Sequence, residues 1–95
     1  MNIQDLLKQS REIWGNENLN LSQIIIRMWK VFWDLCRWER DAIKDKDVHT
    51  DDDLKKELGN IIFSTIRWCD DLGYDPEECI DIAKNAQKRF NKQKN

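Results

Sequence analysis

A chain of 95 residues makes one domain, 1–95, and buries a smaller share of its surface than a longer chain does, which favours further burial through self-association. Sixteen Lys and Arg against 18 Asp and Glu give a net charge of −2, which argues against a general nucleic-acid binder. Three Gly and one Pro leave little turn chemistry for hairpins, so the composition predicts an all-α fold.

The first helix is predicted within Met1–Trp14. Asn2 is placed to cap it, Ile3, Leu6, Leu7, Ile13 and Trp14 give an apolar stripe, and Gly15 is placed to end it. The segment is mixed in charge and lacks the apolar core of a secretory signal, and no run reaches membrane-spanning length, so a cytoplasmic protein without membrane contact is expected. Asn16 to Asn20 reads as a loop.

Ser22 is the expected cap of a second helix from about Gln23 to Asp45. Ile24, Ile25, Ile26, Met28, Trp29, Val31, Phe32, Trp33, Leu35, Cys36 and Trp38 cover nearly its whole circumference. A helix apolar all round is buried on several sides, and the expectation is that another subunit supplies part of that cover.

Residues 44–49 read as a polar connector with His49 a loop residue. Thr50 followed by Asp51, Asp52 and Asp53 is a cap with acids in the first turn, where they suit the helix dipole. Leu54, Leu58, Ile61, Ile62, Ile66, Cys69 and Leu72 then recur at helical spacing up to Gly73. Asp75-Pro76-Glu77-Glu78 opens a fourth helix, with Asp75 as cap, Pro76 at the first position and Glu78 three residues on, as in a capping box. Cys36, Cys69 and Cys79 form no Cys-x-x-Cys pair, so the thiols read as reduced core residues rather than as a disulfide framework or zinc site.

Three stretches of the second half occur in a distinctive order. They are Glu57-Leu58-Gly59-Asn60, then Asp71-Leu72-Gly73-Tyr74-Asp75, then the basic final helix with Lys84, Lys88 and Arg89. Over residues 21–95 this order and spacing resemble the MazG-like all-α nucleotide pyrophosphohydrolases, with residues 1–20 forming an additional helix and loop. The resemblance implies a four-helix MazG-like bundle, completed by oligomerisation. It also implies magnesium held by Glu-x-x-Glu on one helix and Glu-x-x-Asp on the next, because residues three apart lie about 60° apart around a helix and present both carboxylates on one face.

The chain departs from that pattern. Glu57 is retained, but Asn60 stands where the family has Asp, and Leu35 and Trp38 fall near the two ligand positions of the preceding helix. The expected function is therefore nucleotide-type ligand binding without efficient hydrolysis and without a cofactor. Glu57 and Asn60 are expected to line a pocket between the second and third helices, with Lys84, Lys88 or Arg89 at the phosphates. Two alternatives stay open: an active magnesium-dependent nucleoside triphosphate pyrophosphohydrolase using Asp34, Glu39, Asp53 and Glu57, and a purely structural helical homo-oligomer. Convergence of three or more of those carboxylates on one point distinguishes the enzyme.

Overall fold

The computed structural model describes residues 1–44 and 50–94. Among them four helices follow one another with no strand: α1 (Ile3–Trp14), α2 (Leu21–Lys44), α3 (Asp51–Asp71) and α4 (Pro76–Lys94). The all-α expectation holds. The polar connector and His49 lie outside the described residues beyond Lys44.

Local chemistry sets most of the boundaries. Asn2 Oδ1 accepts from the Asp5 N–H at 2.8 Å, and Gly15, at φ 89°, turns the chain out of α1 through a region that residues with a Cβ seldom enter. α2 starts earlier than the expected Ser22 cap. Asn20 Oδ1 accepts from the Gln23 N–H at 2.9 Å and Gln23 Oε1 accepts from the Asn20 N–H at 3.0 Å, so a reciprocal box closes around Asn20 instead. Thr50 and Asp53 form the same device at α3, with both Asp53 N–H to Thr50 Oγ1 and Thr50 N–H to Asp53 Oδ2 at 3.2 Å.

α3 ends in a Schellman turn: Tyr74 N–H donates to the Cys69 carbonyl at 3.0 Å and Gly73 N–H to the Asp70 carbonyl at 2.9 Å, with Gly73 at φ 81°. Asp75 then caps α4, accepting from the Glu77 N–H at 3.0 Å, one position before the residue of the expected box.

α3 is the hub, because α1, α2 and α4 each pack against it. Among the described residues the apolar core is small, with Ile24 from α2 and Ile66 and Trp68 from α3 as its buried members. Facing it across α2 is an open surface. Ile25, Ile26, Met28, Trp29, Phe32, Trp33 and Cys36 are all exposed, so the single chain covers one side of α2 and leaves the other. Cys36 therefore departs from the expectation of a core thiol, while Cys69 and Cys79 are half-buried. The radius of gyration, 16.1 Å, exceeds the roughly 12 Å of a compact domain of this length. Among the described residues no helix is long and apolar enough to cross a membrane.

Candidate functional site between α2 and α3

The polar face of α2 carries Arg27, Lys30, Asp34, Arg37 and Asp41 at steps of three or four, which is one helical face. On α3, Asp53, Glu57, Asn60, Ser64 and Arg67 repeat the same spacing, with Lys56 beside Glu57. Packing α2 on α3 brings these two faces together and leaves two adjoining cavities. Asp34 lines both.

The smaller cavity, about 340 Å³, is lined by Asp34, Arg37, Trp38, Asp41, Asp53, Lys56 and Glu57. Three of the four carboxylates expected of the enzyme, Asp34, Asp53 and Glu57, thus share one cavity, joined by Asp41. Glu39 is exposed and is not among the lining residues. Two of these acids have a cation beside them. Lys56 Nζ lies 3.6 Å from Glu57 Oε1, and Asp41 Oδ1 lies 3.3 Å from Arg40 Nε on its other side. Asp53 has its Oδ2 engaged by the Thr50 hydroxyl as well as the Thr50 N–H, both at 3.2 Å.

The lining carries four acids against two cations, yet among the described residues no group of three His, Cys, Asp or Glu side chains is arranged to hold a metal.

The larger cavity, about 590 Å³, lies under the end of α1. Its lining combines Trp14, Glu17 and Leu19 from α1 and the loop after it, Arg27, Lys30, Val31 and Asp34 from α2, and Asn60, Ser64, Arg67 and Trp68 from α3. Asn60 faces this cavity rather than the one beside Glu57, and its Oδ1 accepts from the Ser64 hydroxyl at 3.1 Å. Arg67 is the deep cation, only 5% exposed. Its Nη2 donates to the Glu17 carbonyl at 3.0 Å, and its guanidinium carbon lies 5.6 Å from the centre of the Trp14 ring, within cation–π range.

The loop that roofs the larger cavity is fastened by a second guanidinium. Arg11 donates from Nη1 to the Glu17 carbonyl at 3.2 Å and from Nη2 to Asn18 Oδ1 at 2.9 Å and Asp70 Oδ2 at 2.7 Å. Its ordinary pKa is raised further, first by the Asp70 hydrogen bond and then by Asp71 against an opposing burial effect, so it stays charged. Cys69 lies nearby on α3, half-buried. Burial first, and then the neighbouring Cys79, push its thiol up to about 11.

Lys84, Lys88 and Arg89 are exposed along α4, and none lines either cavity. The sequence reading had not singled out Arg27, Lys30, Arg37, Asp41, Lys56 or Arg67. The signal was present as polar periodicity on α2 and α3, which a search for apolar stripes passes over. No protein-family model, curated protein or solved structure matches this chain.

Proposed function

We propose that the chain is a MazG-like protein with a degraded metal site, which binds a nucleotide-type ligand in the cytoplasm without efficient hydrolysis. The observation that carries this reading is the presence of Arg37 and Lys56 among Asp34, Asp41, Asp53 and Glu57 in the smaller cavity. Side-chain cations beside carboxylates reduce the negative potential that attracts a divalent metal, and because the acids still outnumber the cations here, an anionic ligand is better received in the adjoining larger cavity. The order of Glu57-Leu58-Gly59-Asn60, the Leu72-Gly73 turn and the basic last helix supports the family assignment, and the adjoining larger cavity supplies room within the size range of ligand pockets.

The exposed α2 surface favours a companion reading. The protein assembles with further copies of itself through Ile25, Trp29, Phe32 and Trp33, either alongside ligand binding or as its whole role.

The test is a thermal-shift screen of nucleotides run in magnesium and again in chelator, paired with a pyrophosphate-release assay on the common nucleoside triphosphates. The expected outcome is stabilisation by at least one nucleotide, equal in both buffers and growing with ligand excess, and no release. Magnesium-dependent turnover abolished by Glu57→Gln would instead establish the pyrophosphohydrolase.

A further inference from the structure

The larger cavity is lined by cations that no packing contact engages. Arg27 and Lys30 both line it from α2, three residues and therefore about 60° apart around the helix. Among the described residues neither has an ion-pair or hydrogen-bond partner. Arg67 enters from α3, and its Nε lies 3.6 Å from Asp71 Oδ1 without forming a hydrogen bond. Asp71 is itself shared, since Arg11 Nη2 lies 3.0 Å from the same oxygen. A buried guanidinium is costly unless its charge is balanced, and here Arg67 relies on Asp71, which it shares with Arg11, while Arg11 also holds Asp70.

Arg27, Lys30 and Arg67 face Glu17 and Asp34 in the lining, and with Asp71 beside Arg67 the charges balance, so the cations open to a ligand are Arg27 and Lys30. The walls between the charges are apolar, made by Trp14, Leu19, Val31 and Trp68. Asn60 completes the set. With its Oδ1 taken by Ser64, its amide N–H groups remain as donors for a polar ring edge or a sugar hydroxyl.

We propose that this cavity under α1 is the anion-recognition site of the protein. In it a nucleoside monophosphate is held without metal, its phosphate among Arg27, Lys30 and Arg67 and its ring against the wall of Trp14 and Trp68. The inference rests on the nucleotide-binding reading above, and it places the phosphate contacts on α2 and α3 rather than on α4. A terminal phosphate carries about −1.5 to −2 at neutral pH, which the two unpartnered side chains, Arg27 and Lys30, can accommodate. A triphosphate brings more charge than Arg27 and Lys30 together offset, so the site favours the shorter ligand.

The experiment is calorimetric titration of the full chain in chelator with nucleoside monophosphates, the matching triphosphates and pyrophosphate. Arg27 and Lys30 are exposed on α2, so the double variant Arg27→Ala/Lys30→Ala keeps its fold, which circular dichroism verifies. The expected result is monophosphate binding at least tenfold tighter than triphosphate. That binding weakens at least tenfold in the Arg27/Lys30 variant and stays within twofold in Lys84→Ala/Lys88→Ala. Nucleotide binding indifferent to Arg27 and Lys30 overturns this site while leaving the nucleotide-binding reading in place. Pyrophosphate binding that depends on Arg27 and Lys30, with no nucleotide bound, supports the anion site and overturns both the nucleoside ligand and the broader reading. No binding by any probe overturns both.

Discussion

Asp71 has a side chain wholly out of water, and Arg11 and Arg67 converge on it from two helices. Arg11 is the more consequential partner, since it also reaches Asp70, the Glu17 carbonyl and Asn18, tying residues 59 apart in sequence. Arg11→Ala removes all four contacts and leaves Asp71 with Arg67 alone. The expected loss is about 3 kcal/mol of folding stability, the usual cost of breaking a buried pair from one side, read by urea unfolding. Lys in the same place should recover only part of it, because an ammonium lacks the planar fork that serves two carboxylates and a carbonyl at once. The exposed pair Lys55–Asp52, 3.9 Å apart, is the natural control, and Lys55→Ala should change stability little.

At the scale of the element, α3 carries Gly59 in its interior with nothing within 4 Å of the position a Cβ would take. Gly in a helix costs about 0.5–1 kcal/mol relative to Ala, so Gly59→Ala should stabilise the single chain by that amount in chemical denaturation. A loss of stability would show that another backbone approaches Gly59 in an assembly. The elements themselves were legible in the sequence because their signals are local. Asn2, Thr50, Gly73 and Asp75-Pro76 act on backbone groups within a few residues, and each marks a boundary in the structure. Ser22 misled because Asn20 and Gln23 together satisfy two N–H groups where Ser22 alone offers one acceptor. The candidate site was legible only in part. Glu57, Asn60, Asp34 and Asp53 lie at the cavities, yet which cations join them depends on how α2 turns its polar face toward α3, a tertiary choice that periodicity leaves open. Lys84 and Lys88 share a face of α4 as their spacing requires, but sharing a face does not fix what that face meets.

The whole molecule is more open than its length requires, with three helices arranged on one and an aromatic side of α2 facing water. A second copy is the partner that most simply covers it, and light scattering at micromolar concentration should find a dimer or larger assembly. Trp33→Glu should return the protein to a monomer, because an unpaired charge on that surface cannot be buried. A wild-type monomer at these concentrations would remove the argument from the α2 surface. The distribution of the five tryptophans has an optical consequence. Trp68 is buried beside the larger cavity with Trp14 at its mouth, whereas Trp29 and Trp33 stand 68% and 58% exposed on the opposite side of α2. Indole emission moves to shorter wavelength as water leaves the ring, so single-tryptophan versions of this chain separate two events that mass or heat alone would merge. Emission from Trp29 or Trp33 follows assembly, and emission from Trp14 follows the filling of the cavity.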